Sequence, residues 1–296
     1  MTTMVKQTTK RCHWVPQSYL KAFAADSQQR RIWRFSKNQG EPELKRIDKV
    51  AVKFHLYAPL GADGRRDDAF EKKLADLENW FGEPVWKAVC TDFPDFSWEP
   101  LRKMVALLAA VTWLRTPRQF EFWKNTHRQF IDLFSARETL PDAVTINGQR
   151  VELDHASWPA YRNADEENMK AAWNDWVGSA AEVATMFMEM RWAVVVSDQP
   201  VFITSDNPVL VGDTLGPHRG LKHPDTMVTF PLSPTRVLMM DNRHNEPDSQ
   251  FYPLKHDPAS TNMLIWRNAI EHMFSPRDPH EICAEMIADA ERMGFA

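Results

Sequence analysis

Three polar residues that lie far apart in the sequence have side chains suited to chemistry: His13, Arg115 and Asp206. Histidine transfers protons near neutral pH, arginine binds phosphate or carboxylate, and aspartate can orient an imidazole. Arg115 lies four residues after Val111 and seven after Leu108, so a continuing helix would place it on the apolar face. Because a buried charge needs a partner, Arg115 is expected to bind an anionic ligand or a carboxylate. The candidate carboxylates are Glu71, Glu78 and Asp206.

His13 precedes a short predicted helix that starts near Pro16. The histidine is either a proton-transfer group or a structural residue held by hydrogen bonds, and its type and position leave both open. Cys12 is adjacent, but neighbouring residues usually point apart. A nucleophile and base formed by Cys12 and His13 is therefore not expected.

Asp206 belongs to the second of two similar turns, Ser-Asp-Gln-Pro at 197–200 and Ser-Asp-Asn-Pro at 205–208. Aspartate side chains bond the backbone two residues on, and the residue before proline avoids the helical region, so both segments predict turns. Asp198 in the first turn is an internal control. A special role for Asp206 therefore requires interactions that an ordinary turn does not explain.

Two further patterns suggest sites. Glu71 and Glu78 are two helical turns apart and share one line of a predicted helix, so they are either metal ligands or a solvated flank. Arg267 and His272 match the short motif of HEPN-type ribonucleases. They are five residues apart, about 140° round an ideal helix, so they do not share a face, and a coincidental match is the preferred reading.

Composition limits the class of protein. The 296 residues are 43% hydrophobic with a net charge of −4, which favours a folded chain over disorder and over general duplex DNA binding. No secretory signal is evident, and the longest apolar run, residues 104–114, is too short to cross a membrane. Three separated cysteines argue against disulfides and a thiolate zinc site, so we expect a cytoplasmic protein. Clusters such as Arg30 and Arg31 are interpreted as solvated surface.

Hydrophobic periodicity predicts the elements that must position these residues. Strands are expected at 30–35, within 44–58, and in five short runs between 191 and 241, with a hairpin turn at Asn147-Gly148. Helices are expected from 67, and at 98–115, 117–136, 164–189, 261–274 and 279–293. The predicted fold is α+β: one predominantly helical domain, residues 1–296, with a mostly antiparallel sheet from the C-terminal half and an N-terminal strand pair.

Several motifs occur in order along the chain: HWVPQSYLKAF, KFHLYA, FEKKLADLENW, LLAAVTWLRTPRQ, VFITSDNPV with FPLSPTRVLMM, and TNMLIWRNAIEHMFS. On these motifs the chain resembles the uncharacterised, mainly bacterial domain-of-unknown-function 4238 family. The resemblance implies that His13, Arg115, Asp206 and Asn262 are family positions, and it selects the second turn over the first. It implies no established activity.

The leading functional expectation is a phosphodiester- or nucleotide-hydrolysing enzyme, nuclease-like and related to bacterial defence or toxin action. Asp206 would orient His13 as general base or acid, and Arg115 would bind phosphate. The expected ligand-binding residues are Tyr19, Ser205, Asn207 and Asn262. Glu71 and Glu78 would hold a divalent metal, the one cofactor considered.

Two alternatives stay open. In the first, the same residues form a structural polar network, and the protein is a non-catalytic interaction module for a partner protein. Its exposed aromatic anchors would be Trp80, Trp158 and Trp173. In the second, weaker alternative, Arg267 and His272 act as a HEPN-like ribonuclease. The partners considered are an anionic small molecule, nucleic acid or protein, with no membrane and no oligomeric state assigned.

Overall fold

The computed structural model describes residues 11–38, 40–135, 140–146, 149–213, 220–255 and 258–292. The helices in these ranges are α1 (Gln17–Leu20), α2 (Ala69–Glu78), α3 (Pro84–Thr91), α4 (Glu99–Leu114), α5 (Pro117–Ser135), α6 (Trp158–Arg162), α7 (Glu166–Gly178), α8 (Ala180–Glu189), α9 (Ala259–Asn268) and α10 (Pro279–Arg292). The strands are β1 (Arg11–His13), β2 (Arg31–Ser36), β3 (Glu43–Arg46), β4 (Val52–Phe54), β5 (Ala143–Ile146), β6 (Gln149–Glu152), β7 (Arg191–Val196), β8 (Thr204–Ser205), β9 (Leu210–Asp213), β10 (Thr226–Ser233), β11 (Arg236–Asp241), β12 (Gln250–Pro253) and β13 (His272–Ser275).

The larger sheet comes from the C-terminal half and has the order β12-β7-β11-β10-β9. Its pairs are antiparallel except β12 with β7, which are parallel. Nearly every residue of β10 is buried, as expected for a strand with a neighbour on each side and layers on both faces. The α+β class with mostly antiparallel sheets is confirmed.

The second sheet has the order β3-β2-β13-β8. The N-terminal strand pair predicted from the sequence is present as β2 and β3, but it does not stand alone. Strands β13 and β8, from the other end of the chain, extend it. Met273 and Phe274 of β13 are fully buried, and this apolar contact draws the two ends of the chain into one sheet.

Helix α4 is the main buried helix, and its predicted apolar face is confirmed. Leu101, Met104, Val105, Leu108 and Val111 are all buried. One continuous hydrophobic core joins residues from Cys12 to Phe274, and α4 crosses it against α8. The helix ends at Leu114, so Arg115 occupies its C-cap and lies just beyond the last helical turn.

Two predicted helices are corrected. The helix expected at 164–189 is two helices, α7 and α8, separated at Ser179. The helix expected at 261–274 ends at Asn268, and residues 272–275 form β13 instead. The reason is non-local: the Asp206 carboxylate accepts the backbone N–H groups of residues 270–272, which a continuing helix would need for its own hydrogen bonds.

The predicted hairpin near residue 147 is present as β5 and β6, although its turn, Asn147-Gly148, lies outside the described residues. None of the described helices is both long enough and apolar enough to cross a membrane.

Candidate functional site

Arg115 is almost completely buried, with 1% of its surface exposed, and its guanidinium joins two parts of the chain. Nε donates to the carbonyl of Trp14 at 2.9 Å, and Nη2 donates to the carbonyl of His13 at 2.5 Å. Nη2 also donates to the Glu78 carboxylate at 2.6 Å. Burial alone would lower the pKa of Arg115, but the Glu78 carboxylate raises it, so the arginine stays charged. Of the three carboxylates predicted as possible partners of Arg115, Glu78 is the one that forms the ion pair.

Asp206 is also 1% exposed and follows directly after β8. Its Oδ1 accepts the backbone N–H of Ile270 at 2.7 Å, and its Oδ2 accepts those of Glu271 and His272, each at 2.9 Å. Its own N–H donates to the His272 carbonyl at 3.0 Å. The carboxylate therefore takes the place of a strand partner at the start of β13. Asp198, the control, is exposed, so the expected difference between the two turns is real.

Trp14 connects these two buried charges. Its indole Nε1 donates to the Asp206 carbonyl at 2.7 Å, while its own carbonyl accepts from Arg115. Its backbone N–H donates to Ala51 at 3.1 Å. We call Arg11–Trp14, with the Arg115 and Asp206 groups that hold it, the N-terminal latch. It fastens the start of the chain to α2, α4 and the second sheet at once.

His13 takes a different position from the one predicted. Its Nε2 lies 3.4 Å from the Asp48 carbonyl, and its Nδ1 lies 3.4 Å from the Gln17 amide nitrogen. The proposed orientation by Asp206 is wrong in the described structure, because the Asp206 carboxylate is occupied by residues 270–272. The imidazole nearest to that carboxylate is His272, whose Nδ1 is 3.5 Å away. Burial lowers the pKa of His13, which favours the neutral ring.

The four predicted ligand-binding residues are all buried and bonded to protein groups. The Tyr19 hydroxyl contacts Thr204 and donates to the Pro231 carbonyl. The Asn262 amide accepts from the Ile203 N–H and donates to the Val201 carbonyl, as a strand neighbour would.

The remaining two of the four lie in the Asp206 turn. Ser205 accepts from the N–H of Asn207, whose amide donates to the Asn268 carbonyl. All four therefore contribute to holding the β8 region in place.

Glu71 and Glu78 have separate roles. Glu78 is the ion-pair partner of Arg115, whereas Glu71 is partly buried and its Oε2 has no hydrogen-bond partner. Burial raises the pKa of Glu71 to about 7; Arg115 opposes this shift and Glu78 adds to it. Within the described ranges, no three His, Cys, Asp or Glu side chains are placed to hold a metal ion. Metal binding by Glu71 and Glu78 thus gains no support from the geometry.

The HEPN-like pairing does not form a single helical motif. Arg267 is in the last turn of α9, and His272 is in β13, so the backbone changes from helix to strand between them. The two residues therefore do not lie on one helix, and a HEPN-like ribonuclease activity stays a prediction.

The three tryptophans predicted as exposed anchors differ in their exposure to solvent. Trp80 is 41% exposed, but Trp173 is fully buried and donates its indole N–H to the Leu114 carbonyl. Trp158 is partly buried and stacks on Tyr161. Of the three, Trp80 keeps the exposure that an anchor requires.

A concave basic pocket of about 420 Å³ lies beside His13. Gln17 and Asp48, the two groups that contact the imidazole, are on its wall, so His13 supports the pocket from behind. Its wall carries four cations and two carboxylates. The cations are Lys21, Arg30, Arg31 and Arg46.

Both carboxylates of this pocket are already engaged. Asp26 accepts the backbone N–H groups of Arg30 at 2.7 Å and Arg31 at 3.3 Å, and Asp48 binds Arg46 through Nε at 2.8 Å. In the part of the chain that the structure describes, no carboxylate is within salt-bridge distance of the Arg30, Arg31 or Lys21 charges. These three cations face the pocket region without a counter-charge.

A family model described as a protein of unknown function, DUF4238, matches residues 11–278. The chain belongs to the DUF4238 family. No curated protein and no solved structure matches the chain.

The DUF4238 match begins at β1 and ends one residue before α10, so it includes the latch and the basic pocket. Sequence reasoning located the latch residues but missed the pocket, because it assigned Arg30 and Arg31 to solvated surface. The signal available was the closeness of these arginines to the His13 motif in sequence. Only the fold shows that Lys21 of the 3₁₀ turn after α1 and Arg46 at the end of β3 lie on the same wall.

Proposed function

We propose that this DUF4238 protein is a binding module for an anionic, phosphate-bearing ligand, with the basic pocket as its site. The observation that carries the proposal is the set of three cations without counter-charges, Lys21, Arg30 and Arg31, around a concave pocket in a chain of net charge −4. Arginine forks suit bidentate contact with phosphate oxygens. The pocket volume is in the range of small-molecule sites.

The latch supports a scaffold role for the signature residues. Arg115 and Asp206 have almost no solvent access, and their bonds go to backbone groups and Glu78. A phosphate could reach Arg115 only by displacing a carboxylate and two carbonyls. Hydrolysis by His13, Arg115 and Asp206 acting together is therefore the less favoured function. His13 instead holds Gln17 and the Asp48 backbone on the pocket wall.

A second candidate is hydrolysis of a phosphodiester or nucleotide, in bacterial defence or as a toxin, and one observation favours it. Glu71 has a pKa of about 7 and an oxygen without a hydrogen-bond partner, which are the properties of a general acid or base. Nuclease and phosphatase assays on the wild type and Glu71→Gln test it. Turnover that Glu71→Gln abolishes would establish this candidate, and absence of turnover in the wild type would remove it.

The proposal places the protein in the bacterial cytoplasm. Cys12, Cys90 and Cys283 are free thiols, which fits a reducing compartment.

Titration with pyrophosphate by isothermal calorimetry tests the binding proposal. The wild type should bind it, and Arg30→Ala/Arg31→Ala should weaken binding at least about tenfold, a change of about 1.4 kcal/mol. The matched control is Arg65→Ala/Arg150→Ala, which removes two exposed arginines that do not line the basic pocket. This control should change the affinity by less than about twofold. Wild-type protein that fails to bind pyrophosphate, or equal affinities in both double variants, would refute the proposal.

A further inference from the structure

Positive charge is concentrated in one early segment of the chain. Residues 11–53 carry ten Lys or Arg residues against four Asp or Glu, whereas the whole chain has a net charge of −4. This segment therefore has a net charge of +6, and the rest of the chain has a net charge of −10. Lysine and arginine clustered on one part of a protein are the electrostatic signature of a surface that binds nucleic acid. The net charge of the whole chain conceals this segregation.

Most of these ten cations have no counter-charge. Three of them form ion pairs with Glu43 or Asp48, and Lys37 donates to two backbone carbonyls near the end of α9. In the described ranges, no carboxylate lies within salt-bridge distance of the other six, which are all exposed. These six are Arg11, Lys21, Arg30, Arg31, Lys49 and Lys53. Three of the six line the basic pocket, and three lie outside it.

The 3₁₀ turn Ile47–Lys49 connects the basic pocket to the strand pair β1 and β4. Its first N–H donates to the Arg30 carbonyl at 2.9 Å, and another carbonyl of the turn lies 3.4 Å from Nε2 of His13. His13 ends β1, and Arg11 lies two residues back along that extended strand, roughly 7 Å away. The register pairs Arg11 with Phe54 of β4. We call the pocket cations, Lys49, Lys53 and Arg11 together the basic path.

Phe54 provides an exposed aromatic ring at the far end of the basic path. Its surface is 62% exposed, and the Arg11 guanidinium lies 5.9 Å from the ring centroid. An accessible ring beside a guanidinium offers a nucleobase a stacking surface, and such a contact raises affinity by about fivefold or more per base. The basic path therefore combines cations that suit phosphates with a ring that suits a base.

The backbone holds both ends of the basic path in defined positions. Ala51 and His55, which flank β4, have positive φ values of 48° and 52°, and Gln29, just before Arg30, has a φ of 53°. Residues other than glycine rarely adopt this region, and they keep it only where surrounding contacts impose it. One such contact is the Trp14 N–H, which donates to the Ala51 carbonyl at 3.1 Å. The ring-bearing strand and the turn beside the pocket are therefore positioned before a ligand arrives.

We propose that the basic path binds a single-stranded nucleic acid, with a phosphate in the basic pocket and a base stacked on Phe54. This inference rests on the proposed function and extends its ligand from one phosphate group to a polynucleotide. A duplex keeps its bases stacked inside, so it could not use the Phe54 ring. A single strand can place a phosphate in the concave pocket and turn an unstacked base toward the ring. Inorganic polyphosphate would match the charges but has no base.

Fluorescence anisotropy with labelled oligouridylate and oligothymidylate of about 12 nucleotides tests the inference, and the two probes distinguish RNA from DNA as the source of the strand. At least one should bind about fivefold more tightly than inorganic polyphosphate with the same number of phosphates. It should also bind more tightly than the same strand annealed to its complement.

The salt dependence measures how many phosphates are contacted. Each contact adds about 0.7 to the slope of the logarithm of the association constant against the logarithm of salt concentration. The six unpaired cations therefore predict a slope of about −4 for an oligonucleotide. The three pocket cations alone would give about −2, and that value would overturn the extended site.

Variants of exposed residues locate the strand. Phe54→Ala should weaken oligonucleotide binding about fivefold to tenfold and leave pyrophosphate affinity unchanged. The matched control is Phe93→Ala, because Phe93 is 67% exposed and has the Arg236 guanidinium 5.0 Å from its ring centroid, but Arg236 belongs to the larger sheet. This control should alter neither affinity.

Lys49→Ala/Lys53→Ala removes two cations that lie outside the pocket wall. The salt slope for the oligonucleotide should become shallower by about 1.4, and pyrophosphate affinity should stay the same. If pyrophosphate binds but neither oligonucleotide binds more tightly than polyphosphate, or if Phe54→Ala has no effect, the inference is overturned and the binding proposal stands. Failure of pyrophosphate and of both oligonucleotides to bind the wild type would remove both proposals.

Discussion

Replacing Asp206 by asparagine tests the latch most directly. The carboxylate accepts three backbone N–H groups at 2.7, 2.9 and 2.9 Å. Asparagine keeps one acceptor oxygen but turns an NH₂ group toward the N–H groups of Glu271 and His272. Two charge-assisted hydrogen bonds are lost, each worth about 1.5–3 kcal/mol, so the free energy of unfolding should fall by about 3–6 kcal/mol. Domains have about 5–15 kcal/mol in total, so this is a severe loss.

Urea denaturation followed by tryptophan fluorescence measures this change as a lower midpoint with an unchanged slope. The matched control is Asp198→Asn in the exposed twin turn, which should alter stability by no more than about 0.5 kcal/mol. A loss below about 1 kcal/mol for Asp206→Asn would refute the structural role. A variant that stays stable but loses a hydrolytic activity of the wild type would return Asp206 to catalysis.

Three further changes probe the surroundings of the latch. Arg115→Met leaves buried carbonyls and the Glu78 carboxylate without a donor, so the free energy of unfolding, measured by heat or urea, should fall by about 3–5 kcal/mol. The Glu78 side chain is 25% exposed, so Glu78→Gln should lose less stability than Arg115→Met. The reverse order would contradict the ion-pair geometry. The pKa of Glu71 in the folded protein, about 7, exceeds its ordinary value of 4.5, so the wild type should lose stability as pH rises from about 4.5 to 7. In Glu71→Gln the free energy of unfolding should not fall across this pH range. The same fall in the variant and the wild type would disprove the assignment. The pKa of His13 in the folded protein is below 6.5, so its contribution to stability is complete above pH 6.5 and is lost as pH falls through that lowered pKa. His13→Gln should remove this acid sensitivity from the free energy of unfolding. A variant as acid-sensitive as the wild type would show that another group causes it.

The helices show how far local pattern extends. The buried face of α4 was predictable residue by residue, because its apolar spacing repeats over four turns inside one element. The end of α9 was not, because the group that stops that helix is Asp206, about sixty residues earlier in the chain. The apolar residues after Asn268 fit a helix as well as a strand until β2 and β8 are placed beside them.

In the candidate site, too, local features were predictable from the sequence and long-range partners were not. Arg115 follows the apolar face of a helix in the sequence, so the need for an anionic partner was predictable. Glu78 was one of three candidate carboxylates. The choice among the three depended on the tertiary placement of Glu78, at the end of α2, beside the Arg115 guanidinium. For His13, sequence neighbours offered no hint that Asp48 and Gln17 would receive its ring.

From sequence alone came the α+β class, most elements and the identity of the residues that had to be satisfied inside the fold. Those properties depend on composition, on local periodicity and on the high cost of burying an unpaired charge, all of which can be read along the chain. Tertiary structure alone decided which partners the buried groups found, and it gathered Lys21, Arg30 and Arg46 around one pocket. A hydrogen bond or a cavity depends on distances of a few ångströms between segments far apart in sequence, and these distances exist only after the core has packed.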